Sequence, residues 1–384
     1  VRTVKAVSQN YDPSPEILML LGEFRKMVND CVRIAIAENV TSRQSLGKRA
    51  YHQLSRYKVP TYYRLSAISK ATSMISNYRK TLEKHPDAKK PFATKPMLTD
   101  CYGFRIIGSH IRIPISIKGV YIKLNKHTQA VISGHTVRSV TLTVRTVSIA
   151  FSKETAVMEP TGLIGIDRNL NNVTTATLDG KTQVHDLSEA TKIKAMYREV
   201  KSHFKRNDVR IGKRIFGKYG LKQRNRVNQR LHLVSKAIVE QAKTEKLGIV
   251  MENLKGIRRL YRKGNGQGKE YRSRLNSWSF YELQRQIEYK ATWEGIQVIY
   301  VHPAKTSSTC AICGSQISEC TERLVYCRKC NRTVDRDENA ALNIVKRGVR
   351  FAPVGLAGEA MVQEPSKQAI LKVDASKLTQ LTKS

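Results

Sequence analysis

The chain has 384 residues, of which 40% are hydrophobic, and its 68 Lys and Arg against 31 Asp and Glu give a formal net charge of +37. This length and apolar content suit a folded protein of two or three domains and exclude a wholly disordered chain. The basic excess predicts a polyanionic partner, nucleic acid rather than an anionic membrane, because no stretch has the roughly 18 apolar residues of a transmembrane helix and no signal or lipidation pattern is present.

The first 100 residues are mainly helical in pattern. Ser14 can cap a helix, Pro15 suits its first turn, and apolar residues recur at helical spacing through Cys31. Further helical pattern extends to about Leu82. The segment "RYKVPTYYR" (56–64) mixes tyrosines with basic residues, which suits either stacking on unpaired bases or core packing of the tyrosines. Three prolines in 84–96 then predict a linker.

From about 101 to 151 the hydrophobic period changes to two. This alternation predicts a small antiparallel sheet or barrel. The alternation shifts phase between Val144 and Val147, which we interpret as a β-bulge. The order of these segments predicts a helical module set between a first strand and the rest of a β-module.

Two apolar strands in the second half each end on an acid. The strand in "LIGIDRN" ends on Asp167, and the strand in "KLGIVMENL" ends on Glu252. A third acid, Asp337, begins a predicted helix, "DENAALNIVKRG". Each acid alone could be a cap or turn residue. However, acids that follow apolar strands lie where open α/β sheets expose ligand sites. Three clustered carboxylates repel one another unless a cation such as Mg²⁺ lies between them. A pair of such ions hydrolyses phosphodiesters, so we predict a nuclease site.

The second half also contains a long basic segment and a basic loop. Residues 189–246 are helical in pattern, with few acids in 198–230, and this one-sided charge favours contact with a polyanion over a solvated face. The candidate nucleic-acid contacts are Lys201, Lys205, Arg206, Arg210, Lys213, Arg214, Lys222, Arg224 and Arg226. The glycine-broken segment 258–274 predicts a mobile loop, which we expect to act as a lid over a single strand.

Four cysteines form two CxxC pairs. Cys310 and Cys313 are separated from Cys327 and Cys330 by 13 residues, close to the interval of zinc ribbons. Two such pairs offer four thiolates to one tetrahedral Zn²⁺, which has no open coordination position and is therefore structural. An iron–sulfur cluster or a redox dithiol is the alternative. Cys320, between the pairs, is not expected to be a ligand.

Several blocks of this sequence resemble the TnpB family of transposon-encoded, RNA-guided DNA endonucleases, which are related to the type V CRISPR effectors. The similar blocks are "GIDRNLNNVTTATLDG", "IVMENLKGI", "NSWSFYELQRQIEYKATWEGIQVIYVHPAKTSSTCAICG" and "CRKCNRTVDRDENAALNI". They span about 163–345, roughly half of the chain, whereas the N-terminal half resembles the family only in its order of modules.

The resemblance implies an RNase H-like (RuvC) α/β nuclease domain split by a zinc ribbon, with an N-terminal β-barrel (wedge) module containing a helical recognition insert. The implied boundaries are 1–12 and 95–160 for the wedge module, 13–94 for the recognition module, 161–306 and 335–352 for the nuclease domain, 307–334 for the zinc ribbon and 353–384 for a flexible tail.

The resemblance also implies an activity and its components. The three motifs fall on Asp167, Glu252 and Asp337, the last chosen over Asp335 by the pattern D-x-N-A-A-x-N-I. These acids would hold Mg²⁺, as two ions, for the hydrolysis of guide-complementary DNA beside a short target-adjacent motif. The expected partners are a guide RNA and target double-stranded DNA, with a monomeric protein in the cytoplasm at the nucleoid. A compact type V effector, a non-catalytic guided DNA-binding protein, and a transposase or resolvase of the same fold are the alternatives.

Overall fold

A computed structural model describes residues 2–115, 119–204, 209, 212–262, 264, 266–320 and 323–351. Two compact units divide the chain, the N-terminal unit Arg2–Glu154 and the C-terminal unit from Thr155 onward. The expected tail, 353–384, lies outside the described residues. No helix in these described ranges combines the length and the apolar character that crossing a membrane requires.

The N-terminal unit combines helices with two antiparallel sheets. Its elements are β1 (Arg2–Asn10), α1 (Pro15–Ala37), α2 (Arg43–Ala50), a 3-10 turn (Gln53–Arg56), α3 (Tyr62–Leu82), β2 (Leu98–Asp100), β3 (Arg105–Ile107), β4 (His110–Ile113), β5 (Val120–Lys123), α4 (Lys126–Ile132), β6 (Thr136–Leu142) and β7 (Thr146–Glu154). One sheet has the strand order β1-β7-β6-β2 and the other β3-β4-β5. The helices α1 to α3 therefore lie in sequence between two strands of one sheet.

The predicted start of α1 is confirmed, but the predicted β-bulge near Val144 is wrong. The Ser14 hydroxyl accepts a hydrogen bond from the Ile17 amide, and Pro15 is the first helical residue. The change of hydrophobic phase is a hairpin turn, because Val140 pairs with Ile149 across the two strands β6 and β7. A register shift in this pair lies instead between Val137 and Ser139.

The C-terminal unit is built on a mixed sheet. Its elements are β8 (Gly162–Arg168), β9 (Asn172–Thr177), β10 (Thr182–Asp186), α5 (Ser188–Ser202), a π-helical turn (Gly212–Phe216), α6 (Gly217–Thr244), β11 (Leu247–Glu252), a 3-10 turn (Ile257–Tyr261), α7 (Lys269–Asn276), α8 (Phe280–Trp293), β12 (Val298–Val301), β13 (Ser318–Glu319), β14 (Leu324–Cys327), β15 (Arg332–Asp335) and α9 (Arg336–Val349). The strand order of the main sheet is β10-β9-β8-β11-β12, and β13-β14-β15 form a separate small sheet.

Helices cover both faces of the main sheet. Alternate residues of a strand point to opposite faces, so Ile164 and Ile166 of β8 join a core with α5, α6 and α8, while Leu163 joins a core with α9. The central strands β8 and β11 are parallel, and Ile166 pairs with Met251. The next residues along these two strands are Asp167 and Glu252, so both acids reach the same edge of the sheet.

Two glycines allow α9 to pack directly on the central strands. A Cβ atom on Gly165 of β8 would lie 2.4 Å from the Ala341 carbonyl oxygen and 2.6 Å from the Val345 nitrogen. On the helix, a Cβ on Gly348 would lie 2.4 Å from a methyl carbon of Val250 in β11. Helix α9, which begins with the third acid, therefore rests against the strands that carry the other two.

Candidate active site

Three acids from separate parts of the sequence come together at one edge of the main sheet. Asp167 lies near the end of β8, Glu252 ends β11, and Asp337 is in the first turn of α9. Each is only 7% exposed. Asp167 is close enough to both other carboxylates to be affected by their charges. The fold therefore assembles the three acids that the sequence singled out.

Each of these carboxylates accepts a hydrogen bond through one oxygen. The Asn169 side-chain amide donates to Asp167 Oδ2 over 2.7 Å, and the Asn172 amide donates to Asp337 Oδ2 over 3.0 Å. The Thr306 hydroxyl donates to Glu252 Oε1 over 2.6 Å. These bonds fix the orientation of each acid. The sequence reasoning missed all three donors, although the amide-rich run 169–172 directly after the first acid was a signal.

The electrostatics of the acids favour a bound cation. Burial, followed by the charge of Glu252, raises the pKa of Asp167 to about 7, and Asp337 adds to this effect. Burial also raises the pKa of Glu252. At neutral pH the negative charges of the three acids therefore need a shared proton or a bound cation to balance them. The donor set consists of carboxylate oxygens, which hard cations such as Mg²⁺ prefer.

The three acids are more widely spaced than the ligands of a single compact metal site. In the part of the chain that the structure describes, the only group of three or more His, Cys, Asp or Glu residues whose ligand atoms all lie within 4.8 Å of one another is the cysteine cluster. These three carboxylates therefore do not form a single compact three-ligand site in this conformation.

Arg168 is a buried cation directly behind the acids. It follows Asp167 in β8 and is 1% exposed. Its guanidinium donates to the Glu252 backbone carbonyl and, over 2.9 Å, to Gln284 Oε1 of α8. It thus ties the ends of β8 and β11 to α8, and its charge offsets part of the rise in pKa that burial causes in both neighbouring acids. An arginine at the end of an apolar strand was the sequence signal for this role.

At the start of α9, one acid caps the helix and another belongs to the cluster of three carboxylates. The Asp335 side chain accepts hydrogen bonds from the backbone amides of Asp337 and Glu338, at 2.8 and 3.2 Å, so it is the helix N-cap. Glu338 accepts a hydrogen bond from Thr182. Of these three acids, only Asp337 faces Asp167. This arrangement agrees with the choice of Asp337 over Asp335.

A cleft of about 500 Å³ adjoins the acids on one side. Its lining includes Asn172 and Asp337, the aromatic rings of Tyr271 and Trp278, and basic residues. The basic residues are Arg274, Arg323 and Arg336. Arginine side chains bind phosphates, and aromatic rings stack on bases. The cleft therefore has the lining that a nucleic-acid strand requires, and α7, from the predicted lid, forms part of its wall.

The basic segment is only partly described. Lys205, Arg206 and Arg210 lie outside the described residues, as does the side chain of Lys213. In the described part, Arg214, Lys222, Arg224 and Arg226 are exposed. Lys201 is half-buried and donates to Gln223. Helix α6 buries Val227 and Leu231 on the face opposite these basic residues. It is therefore a packed helix with one exposed basic face.

The two CxxC pairs converge on one cluster. The Sγ atoms of Cys310, Cys313, Cys327 and Cys330 all lie within 4.8 Å of one another, and Cys320 is exposed outside this cluster. Hydrogen bonds from Ser315 lower the pKa of Cys313 to about 6. The Cys330 thiol hydrogen-bonds to the other sulfurs, which raises its pKa to about 12. Four sulfurs this close need a cation to ionise together, and a tetrahedral thiolate set suits Zn²⁺.

Helix α9 also supports the cysteine cluster. The Asn339 side chain donates to the Thr309 carbonyl and accepts from the Ala311 amide, each over 2.8 Å. Asn343 donates to the carbonyls of Thr306 and Thr309. Thr306 in turn donates to Glu252, so the helix, the cysteine loop and the acids form one connected network.

Comparison with known proteins finds similarity to TnpB-like proteins and to CRISPR-associated endodeoxyribonucleases. Residues 280–344 match the family model "Cas12f1-like, TNB domain". A TnpB-like protein of Methanocaldococcus jannaschii, MJ0751, is 39% identical over 135 residues, which cover 35% of this chain and 48% of that protein. The CRISPR-associated endodeoxyribonuclease Cas12f2 of a Micrarchaeota archaeon is 37% identical over 133 residues, covering 32% of this chain and 24% of that protein. The matched part thus spans less than half the length of either relative.

A solved structure shows the fold. A cryo-EM structure of a Cas12f1–sgRNA–target DNA complex matches with a TM-score of 0.61 at 15% identity, covering 86% of this chain and 83% of that one. At this identity the match concerns the fold alone. The overall fold of this chain is therefore similar to that of the matched protein, and the four-cysteine cluster of this chain is compatible with the predicted zinc ribbon.

Proposed function

We propose, from the premise that this chain is a relative of the TnpB family, that it is an RNA-guided, Mg²⁺-dependent DNA endonuclease. Its substrate would be the phosphodiester bonds of guide-complementary DNA next to a short target-adjacent motif. The observation that carries the proposal is the meeting of three buried carboxylates, Asp167, Glu252 and Asp337, beside a cleft lined by arginines and aromatic rings.

The metal ligands, the hydrogen-bond donors to the acids and the cleft arginines would have different roles in hydrolysis. Bound Mg²⁺ would supply an activated water and stabilise the charge on the leaving oxygen. Asn169, Asn172 and Thr306 each hold one oxygen of an acid, so the second oxygen of each carboxylate is the candidate metal ligand. The cleft arginines would hold the phosphates of the strand in place.

The other components are proposed from the same relationship. The relatives' names include an endodeoxyribonuclease, and the matched complex contains guide RNA and target DNA. We assign to this chain the same two partners, a structural Zn²⁺ on the four cysteines, and a monomeric state. The wedge, recognition, nuclease and zinc-ribbon boundaries predicted from the sequence are retained as part of this proposal, as is a cytoplasmic location at the nucleoid.

The loop 258–274 is proposed as a lid over the single strand that enters the site. Tyr271 and Arg274, from the α7 part of this loop, line the cleft together with Asp337. Deleting the loop should therefore slow DNA cutting more than it weakens RNA binding. An equal loss of both would contradict the lid assignment.

Cleavage by the purified protein tests the proposal directly. The RNA that copurifies with the protein is sequenced, a matching DNA target is supplied with Mg²⁺, and product strands are measured. Ala substitutions of Asp167, Glu252 and Asp337 should each abolish cutting and leave RNA binding within about twofold, because the proposed RNA contacts are made by basic residues elsewhere in the chain. Asp335→Ala is the matched comparison: it removes the cap of the same helix but no proposed metal ligand, so it should reduce cutting without abolishing it. Unchanged cutting by the three variants would refute the site.

A compact type V CRISPR effector is the second candidate, favoured by the match to Cas12f2 and to the Cas12f1-like family model. It uses the same chemistry, and the copurified RNA separates the two. A repeat-derived guide would indicate a CRISPR effector, whereas a guide read from a transposon end would indicate a TnpB protein. A non-catalytic guided protein would bind its target but cut nothing in the same assay.

A further inference from the structure

A second cleft, far from the acids in sequence, lies within the N-terminal unit. It has a volume of about 530 Å³, within the range of roughly 300–1,000 Å³ that is usual for ligand sites. Two tyrosines and two arginines dominate its lining, with prolines and Gly103 between them. The nuclease chemistry described above does not use these residues.

One tyrosine of the segment "RYKVPTYYR" faces this cleft and its neighbour does not. Tyr63 is 1% exposed, and its hydroxyl donates to the Pro114 carbonyl over 2.8 Å, so it is a core residue. Tyr62 lines the cleft. Its ring lies edge-on to that of Tyr63, with the ring centres 4.8 Å apart. Core packing therefore describes Tyr63, and the base-stacking interpretation is retained for Tyr62.

The ring of Tyr62 is held in place by the chain around it. A Cβ atom on Gly103 would lie 2.6 Å from the Tyr62 ring, so only glycine, here at φ +76°, allows the ring to approach the backbone this closely. Burial raises the pKa of Tyr62 to about 12. The hydroxyl therefore stays neutral at physiological pH and does not repel an anion.

The opposite wall is a row of side chains across the sheet β3-β4-β5. Arg105 pairs with Arg112, and Arg112 pairs with Tyr121, so the three side chains stand side by side on one face. Two guanidinium groups on one face of the sheet give this wall a positive charge, which suits an anionic ligand. Gly119 makes room for Arg112, since a Cβ there would lie 2.8 Å from the arginine Nε. Tyr121 is 53% exposed.

We propose that this cleft binds one unpaired nucleotide of a nucleic-acid strand, with the base against Tyr62 and Tyr121 and its phosphate between Arg105 and Arg112. Aromatic rings stack on any base, and guanidinium groups form paired hydrogen bonds with phosphate oxygens. A base pair within a duplex exposes no free face to such rings, so the strand must be unpaired here. The identification of the ligand as nucleic acid rests on the proposed function.

Binding measurements on the full chain test this assignment. The affinity for labelled single strands of RNA and of DNA is measured by fluorescence anisotropy, with a blunt duplex of equal length as reference. Tyr121→Ala should weaken single-strand binding about tenfold and duplex binding less than twofold. Tyr121→Phe keeps the ring and should bind as the wild type does. Arg105→Ala should weaken single-strand binding more than Arg145→Ala, which removes an exposed arginine of the same unit.

Crosslinking identifies which strand supplies the nucleotide. The assembled complex carries 4-thiouridine in the RNA in one sample and 4-thiothymidine in the DNA in another, and crosslinked peptides are identified by mass spectrometry. A crosslink at Tyr62 or Tyr121 in either sample supports the proposal and names the strand. Crosslinks at neither tyrosine in both samples, or equal losses of affinity in Tyr121→Ala and in Tyr102→Ala, would overturn it.

Parallel cleavage assays keep this inference separate from the proposed function. Guided cutting without crosslinks in the cleft would refute the nucleotide site alone. Crosslinks in the cleft without guided cutting would refute the nuclease proposal and leave the nucleotide site standing.

Discussion

Replacing Gly165 by alanine tests whether close packing of α9 positions the third acid. The added Cβ would lie 2.4 Å from the Ala341 carbonyl oxygen and 2.9 Å from the Val345 Cβ. Ordinary contact distances are about 3.5 Å, so α9 or β8 must move by about 1 Å. These obstructing atoms belong largely to the helix backbone, which cannot turn away as a side chain does. The substitution therefore displaces Asp337 relative to Asp167.

The expected effects are measurable in two assays. Overpacking of a tight core costs about 1–3 kcal/mol, and a loss of about 2 kcal/mol lowers the melting temperature of a unit of this size by roughly 4–8 °C. A 1 Å misplacement of a catalytic group reduces the rate about 10²-fold. Thermal unfolding followed by fluorescence gives the first quantity, and single-turnover cleavage of guide-matched DNA gives the second.

A matched glycine separates local packing from a general effect of alanine. A Cβ on Gly217, at the start of α6, meets no atom within 4 Å. Gly217→Ala should keep the wild-type melting temperature or raise it slightly, and should cut at the wild-type rate. If Gly165→Ala matched the wild type in both assays, the packing argument would be wrong. A lower melting temperature with an unchanged rate would refute only the link between the helix position and catalysis.

Three further substitutions probe the charges and the metals. The pKa of Asp167 is raised from 3.8 to about 7, so the stability of the metal-free protein should fall as the pH rises from about 4 through 7. In thermal melts Asp167→Asn should lack this dependence on pH. Added Mg²⁺ should remove the difference in pH dependence between the variant and the wild type. A persistent slope in the variant would exclude Asp167 as its source. Arg168→Met should lower kcat about 10-fold or more while leaving KM for DNA within about twofold, because the guanidinium holds the Glu252 carbonyl and, at 1% exposed, is too buried to reach a bound strand. Arg168→Lys should recover part of the loss, and a change in KM alone would contradict a positioning role. Cys310→Ser should eliminate bound zinc, measured by elemental analysis, and Cys320→Ser should retain it; equal zinc content in the two would refute the four-cysteine site.

Periodicity identified the elements that end on acids, because buried strands have a simple sequence pattern. The strands ending at Asp167 and Glu252 are confirmed as β8 and β11, and the predicted helix from Phe280 to Trp293 is confirmed with both of its ends. The hairpin turn after Leu142 was mistaken for a bulge, since a turn and a bulge change the hydrophobic phase in the same way. Only pairing between strands separates these two cases.

The supporting residues of the site depend on contacts between distant parts of the chain. Asn172 and Thr306 donate hydrogen bonds to acids more than 50 positions away in sequence. A local sequence pattern therefore cannot predict these hydrogen bonds. The need for glycine at 165 depends on a helix that begins at residue 336. The positions of the three acids after apolar strands and at a helix start singled them out, and the family resemblance selected Asp337 over Asp335; the role of Arg168 became visible only when its partners were in place.

The position of Asp337 after the other two acids in the sequence has a consequence for synthesis in the cell. The two strands that carry the other acids leave the ribosome before the cysteines, and α9 follows the cysteines. A nascent chain without α9 has only two of the three carboxylates, and it lacks the helix whose Asn339 and Asn343 hold the cysteine loop. Under the proposed nuclease function, a partly made chain would therefore have no complete site with which to cut nucleic acid bound to its basic segments.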